Sequence, residues 1–443
     1  MPKVDIPGLT GLRFIAAFSI LFLHAVAWCI PFNDTNIPNA IAGWIGVYGM
    51  PLFFVLSGFV IHYNYALAFR ERPYGTASRG FFAARFARIY PLYFFFLVFG
   101  SISDFTSNWI GYAPREFTNY VFHTVTLTQS WVYKIVIQDR LLLENGFGLA
   151  WSLSSEFFFY IAYAVFVFAI LRIRKPGACL ASLAVFSMVV VGMLLAAYEN
   201  FGAIQDLAKK FLPVVFTKEQ NFQFSFYRWF FYYSPYVRIW EFILGCLAAQ
   251  LFLIVQNRPV MRRERVYATV ALGAALAFLF GFGAIYALSN AIPNLLGAPG
   301  SVGAKAVELV HFLALNFGCA VPLATVIFYV ARYKGAFSNF FAWAPMVWLG
   351  DISYSIYAVH TWTLRPLIRP PISLNDVYGV DAILRVGIGI AFTVIVSAGT
   401  YTLIEQPCRR YLRARLMGGE ASRALHTRQI RDDSWIDNRY GGG

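Results

Sequence analysis

The sequence predicts an all-α, polytopic membrane protein, a bundle of about ten transmembrane helices with both termini on the cytoplasmic side. Three observations carry that prediction. Hydrophobic residues make up 59% of the 443-residue chain and charged residues only 13%, where a soluble domain carries nearer a quarter. The apolar residues fall in long continuous runs, not in the short alternating segments of an outer-membrane barrel. The Lys and Arg residues behind the net charge of +14 cluster in short segments between those runs. That is the pattern of membrane topology, and it argues against a nucleic-acid partner.

A spanning helix needs about 20 mostly apolar residues. By that measure the spans run roughly over 11–31, 46–68, 83–103, 150–172, 178–198, 236–256, 266–287, 308–331, 344–367 and 380–404. The first follows Lys3 without a small-residue cleavage site, so it is expected to be retained as a helix. Arg70, Arg72 and Arg79 precede the third span, and Arg172, Arg174 and Lys175 follow the fourth. Arg258, Arg262, Arg263 and Arg265 follow the sixth, Arg332 and Lys334 the eighth, and Arg409, Arg410, Arg413 and Arg415 the tenth. All these clusters fall on one side when both termini are cytoplasmic, as the positive-inside rule requires. The opposite connections, around Asn33 to Ala42 and Ser289 to Gly303, are poor in Lys and Arg.

Two long outer connections, 104–149 and 199–235, are rich in Phe, Tyr and Trp. Stretches such as Phe222 to Tyr236 read as interfacial segments whose rings sit at headgroup level. The organisation expected is a transmembrane domain over 1–410 and a polar, disordered tail over 411–443. The five cysteines, Cys29, Cys179, Cys246, Cys319 and Cys408, show no CxxC or His-rich spacing. They read as helix-packing residues, with no metal site.

Polar groups inside the spans are the candidates for chemistry, because ionisable residues are costly in the bilayer. Arg13 and His24 stand eleven positions apart in the first span. At about 100° per residue they return to nearly one face, with about 16 Å of rise between them. The plain alternative is a snorkelling arginine and a core histidine. Counted from the span ends, His24, Glu156 and His360 come out at similar depth in the outer half, with Arg238 and Glu241 near the outer start of the sixth span. That layer reads as a proton-transfer site.

The inner half differs. Arg85 and Arg88 are three apart and share a helix face, at the level of Arg13, Asp351 and Glu405. Three arginines there fit the phosphates of an anionic cytosolic ligand, and positive-inside anchoring explains them as well. Ser57 and Gly58 read as a small-residue packing pair, and His62 as either a pocket residue or a core histidine. Ser154 and Ser155 read as hydroxyls bonded to their own backbone.

Seven segments, taken together, resemble the acyltransferase-3 family of membrane O-acyltransferases. They are GLTGLRFIAAFSILFLHA with its Arg-x10-His spacing, FFVLSGFVI, RFARIYPLY, WSLSSEFFFY, RIWEFILG, LGDISYSIYAVH and TLIEQPCRR, in family order from Gly8 to Arg410. Family members that carry an additional secreted esterase-like domain are longer, and the ten-span count suits the simpler form. The resemblance implies transfer of an acyl group, most often acetyl, from cytosolic acyl-CoA to a hydroxyl of a cell-surface glycan or lipid-linked saccharide.

It also implies His24 as the catalytic histidine with Arg13 as its partner, Glu156 as the acid of the WSLSxE motif, and Arg85 and Arg88 as the Arg-x-x-Arg pair for the donor. Arg13 is expected to serve the donor too, and His360, Glu241 and Arg238 to contact substrate. No permanently bound cofactor is expected, with acetyl-CoA as donor substrate and membrane lipid around the bundle. The location implied is the bacterial cytoplasmic (inner) membrane, crossed many times. A proton-coupled secondary transporter of an organic acid or glycan precursor fits the same buried charges. The missing inverted repeat and the one-sided arginines argue against it.

Overall fold

A computed structural model describes residues 5–30, 37–108, 114–133, 135–137, 140–141, 149–212, 225–292, 296–367 and 380–417. The first half of the chain forms α1 (Pro7–Cys29), α2 (Ile37–Gly46), α3 (Gly49–Glu71), α4 (Tyr74–Asn108), α5 (Pro114–Val125), α6 (Ala150–Leu171), α7 (Pro176–Glu199), α8 (Phe201–Phe211) and α9 (Phe226–Arg228). The second half forms α10 (Pro235–Val255), α11 (Arg262–Ala291), α12 (Val302–Leu315), α13 (Ala320–Arg332), α14 (Ala336–Phe341), α15 (Ala344–Asp351), α16 (Ser353–Leu364), α17 (Val380–Thr400) and α18 (Gln406–Met417). One small antiparallel ladder pairs β1 (Ile135–Ile137) with β2 (Arg140–Leu141).

Eight helices among the described residues are long and apolar enough to cross a membrane, or nine if one bent pair counts as a single span. The predicted span 308–331 is that bent pair, α12 and α13, meeting at 79°. Asn316 explains the break. Its side-chain amide donates to the Phe312 carbonyl at 2.6 Å, its backbone is extended, and a 3₁₀ turn over Phe317–Cys319 follows. A side chain that bonds the backbone locally competes with the helix ladder. The predicted span 344–367 is split at Ile352 into α15 and α16, neither long enough alone.

The centre of the bundle is the crossing of α3 and α10. A Cβ on Gly58 would lie 2.0 Å from the Phe242 carbonyl oxygen, and one on Gly245 would lie 2.0 Å from that of Val55. The two backbones touch because both positions lack a side chain, the close approach that small residues allow between membrane helices. Gly11 brings α1 equally close to the backbone of Phe341 in α14, and Gly350 brings α15 equally close to the backbone of Thr10 in α1. α1 is thus wedged into the bundle, with Ala16, Ala17, Leu21 and Ala25 fully buried. At the periphery, α7, α11 and α17 expose Met188, Phe280 and Ile395, as lipid-facing helices do.

Two π-helical turns, Trp229–Tyr233 and Tyr401–Glu405, lead into α10 and α18. α8, inside the aromatic outer connection, buries no residue and carries Lys209 and Lys210 in its last turn. Residues 411–417, assigned to the polar tail, continue α18, and the tail from 418 onward lies outside the described residues. So do 222–224 of the aromatic stretch.

Candidate active site

α1 and α16 bring the two intramembrane histidines together across 336 positions of chain: His24 Nδ1 lies 2.8 Å from His360 Nε2. The rings are nearly parallel, 13° apart, with centroids 5.0 Å apart. That separation fits an edge-to-edge N–H···N bond in the ring plane. The other nitrogen of His360, Nδ1, lies 2.8 Å from the Tyr357 carbonyl oxygen and 3.3 Å from that of Ile356. A carbonyl only accepts, so Nδ1 of His360 carries the proton and, in the neutral ring, Nε2 accepts. His24 Nδ1 must then donate, and the lone pair of His24 falls on Nε2. That nitrogen has no hydrogen-bond partner among the described residues. Trp28, one turn along α1, lies against the His24 ring with centroids 5.3 Å apart.

Beside this pair lies a cavity of about 750 Å³, its open mouth included. Arg13, Arg85, Arg88 and Glu156 supply its charge, and Phe53 and Tyr357 form part of its wall. The Tyr357 ring is 5.9 Å from Phe53 and 5.8 Å from His360, centroid to centroid. One aromatic layer therefore separates the arginines from the histidines. The Tyr357 hydroxyl is held by the Ser152 hydroxyl at 2.6 Å and by the Leu149 carbonyl at 3.1 Å. Glu156 Oε1 accepts from Ser57 Oγ at 2.8 Å and from the Tyr160 hydroxyl at 2.7 Å. Arg85 donates to the Tyr65 hydroxyl at 3.0 Å and lies over that ring. Arg13 and Arg88 make no hydrogen bond or ion pair among the described residues.

Glu156 does not join the histidine layer in which its distance from the span end had placed it. It stands with the arginines. The depth count took residue 150 as the outer edge of the bundle, but the segment before α6 folds back over its first turn. Gln129 donates to the Ala150 carbonyl at 3.2 Å, Trp131 Nε1 to the Ser154 carbonyl at 3.0 Å, and Ser130 Oγ to Ser154 Oγ at 2.9 Å. Ser154 and Ser155 do not bond their own backbone as expected: Ser154 Oγ accepts from Ser130, Ser155 Oγ donates to the Tyr233 carbonyl at 3.2 Å, and neither lines the cavities around the arginines.

The buried pair on α10 is also elsewhere. Arg238 and Glu241, each 1% exposed, pair at 3.1 Å, and Arg238 Nε donates to the Tyr232 carbonyl at 2.9 Å. They tie the π turn to α10 and line neither cavity found around the arginines. His62 is a core histidine: Nε2 faces Gln250 Oε1 at 2.8 Å and Nδ1 faces the Tyr163 hydroxyl at 3.3 Å. Asp351 and Glu405 lie within electrostatic reach of Arg88 and Arg409, with Glu405 held by Ser355 Oγ at 2.7 Å.

Two functional candidates were hidden among the topological charges. Arg409 and Arg413 of α18 line a second cavity of about 760 Å³, its open mouth included, together with Arg85 and Arg88. Their spacing of four, which puts both on one helix face, is the signal that would have separated them from their neighbours.

Comparison with known proteins gives the family. The family described as "Acyltransferase domain" matches residues 6–402. The chain is similar to "Acyltransferase MdmB" of Streptomyces mycarofaciens, 26% identical over 428 residues, covering 92% of this chain and 93% of that protein. It is 25% identical to "Putative peptidoglycan O-acetyltransferase YrhL" of Bacillus subtilis, over 91% of this chain and 55% of that protein. It is 24% identical to "Peptidoglycan O-acetyltransferase OatA" of Listeria monocytogenes, over 91% and 56%. The chain thus spans about half the length of those two relatives. No solved structure matches it. With nearly the whole chain matched, the chain belongs to the acyltransferase-3 family of membrane acyltransferases.

Proposed function

We propose that this chain transfers an acyl group, acetyl in the first instance, from cytosolic acyl-CoA to a hydroxyl of a cell-surface glycan or related acceptor, and that it works in a bacterial cytoplasmic membrane. Membership of an acyltransferase family decides for an enzyme over a transporter. The names of the two peptidoglycan O-acetyltransferases support acetyl as the group and a glycan hydroxyl as the acceptor. The one-sided Lys and Arg clusters support a cytoplasmic face for the arginines.

The observation that carries the mechanism is the hydrogen-bond order from the Tyr357 carbonyl through His360 to His24. It leaves His24 Nε2 as the base. As the acceptor oxygen attacks the thioester carbonyl carbon, its proton passes to His24 Nε2; the C–S bond breaks, and the departing thiolate takes the proton back. His360 holds the ring in the right tautomer and stabilises its charged form by accepting from Nδ1. A two-step route through an acyl group on His24 uses the same lone pair. Arg13, Arg85 and Arg88 receive donor phosphate, and Glu156 balances their charge from within the cavity.

Labelled acetyl-CoA and glycan acceptors supplied to the protein in lipid nanodiscs test this. The wild type is expected to transfer label, His24→Ala to lose about 10²–10⁴-fold in kcat, and Arg85→Ala to lose donor affinity. Full transfer by His24→Ala would overturn the assignment.

A further inference from the structure

The second cavity has an arrangement that transmembrane anchoring does not require. It is lined by Asn64 and Tyr65 of α3, Arg85 and Arg88 of α4, and Arg409 and Arg413 of α18, with Ala84 between them. Among the described residues no carboxylate lines it. Arg88 and Arg409 make no hydrogen bond or ion pair among the described residues, and Nε of Arg413 is buried without a partner. Four like charges gathered around one space repel each other; Asp351 and Glu405, within electrostatic reach of Arg88 and Arg409, offset part of that repulsion from outside the cavity, and an anion within it offsets more.

We propose that this cavity binds the nucleotide end of the donor, and that Arg409 and Arg413 recognise its phosphates. The proposal rests on the acyl-CoA reading above. Each guanidinium presents a planar fork that takes two phosphate oxygens at once. Coenzyme A concentrates its charge at one end, on a diphosphate and a ribose 3′-phosphate, and its pantetheine arm is uncharged. The geometry divides in the same way. Arg85 and Arg88 are shared with the first cavity, so a ligand whose phosphates fill the second has its arm directed into the first, toward Phe53 and Tyr357.

Headgroup anchoring is the competing explanation for basic residues after a last span, and α18 separates the two uses by face. Arg410 and Arg415 are exposed, with Arg415 over the Tyr411 ring, as anchors would be. Arg409 and Arg413 turn inward toward α4 and are half-buried. The helix is fixed in that orientation by the π turn Tyr401–Glu405 and by the bond from Ser355 to Glu405.

Equilibrium binding of CoA and of 3′-dephospho-CoA to the protein in nanodiscs tests the assignment, with Arg409→Ala/Arg413→Ala, Arg409→Lys/Arg413→Lys and Arg415→Ala beside wild type. The wild type is expected to prefer CoA to 3′-dephospho-CoA by about tenfold or more. The double alanine variant should lose at least that much CoA affinity together with the preference, the lysine variant should fall between, and Arg415→Ala should match wild type. The lysine variant keeps the charge, so a fall in its preference separates lost phosphate recognition from lost folding. If wild type binds CoA and the double alanine variant binds it equally well, the α18 site is overturned and the donor reading stands. If wild type binds no CoA, the donor reading falls and this site falls with it.

Discussion

Arg238 and Arg88 are the same residue type in the same apolar bundle, satisfied in opposite ways. Arg238 is enclosed by its own protein: Glu241 at 3.1 Å, the Tyr232 carbonyl at 2.9 Å, and the rings of Tyr232 and Phe54 around its guanidinium. Arg88 stands between two cavities with no hydrogen bond or ion pair among the described residues; Arg13 and Arg409 are in electrostatic reach, and so, without direct contact, are Asp351 and Glu405. A buried charge that carries its partner with it has been settled by folding. One that faces open space among like charges awaits a ligand. Burial alone does not mark function in this bundle, and neither does one unpartnered atom, since Arg238 Nη2 and Glu241 Oε2 are buried without a partner; an arginine with no direct carboxylate contact that faces a cavity does.

The comparison breaks most sharply at Glu241. Glu241→Ala leaves Arg238 charged and sealed in apolar surroundings, which is expected to destabilise the protein by about 3–5 kcal/mol, measured by unfolding in detergent. Arg88→Ala breaks no hydrogen bond among the described residues and leaves Arg409 within reach of Asp351 and Glu405, so stability should hold. Its loss belongs in donor binding instead, roughly 10- to 150-fold, as expected for one charge-assisted hydrogen bond of about 1.5–3 kcal/mol. A stable Glu241→Ala protein, or an Arg88→Ala protein that unfolds early and binds CoA normally, would reverse the two assignments.

The same contrast shows what could be read from the chain. Ten apolar runs, the Arg13–His24 face and the Arg85–Arg88 face follow from local periodicity, which is how a helix arranges its own side chains. The His24–His360 bond does not, because two helices 336 positions apart meet only through packing; the depth count put both histidines in one layer but could not pair them. It failed for Glu156, where the turn over 126–133 covers the start of α6 and moves the carboxylate away from the outer edge. Arg409 and Arg413 were read as topology because composition records how many charges a loop carries, not which face they take. The bend at Asn316 turns on one side-chain bond to the Phe312 carbonyl, a choice that hydropathy does not register.

Ser57 and Gly58 give the smallest test. Read as one small-residue pair, they turn out to do separate jobs on adjacent faces of α3. Gly58 is a contact surface, with the Phe242 carbonyl where a side chain would be. Ser57 is a donor, and Glu156 Oε1 takes its hydrogen bond together with that of Tyr160. Ser57→Ala leaves the Tyr160 bond in place, and Glu156 faces a cavity in which water can replace the lost hydroxyl. The expected cost is therefore one ordinary hydrogen bond, about 0.5–1.5 kcal/mol, or less than roughly tenfold in kcat/KM, with the unfolding temperature unchanged. A shift in unfolding temperature without a change in kcat/KM would return Ser57 to the packing role and place it on the Arg238 side of the comparison.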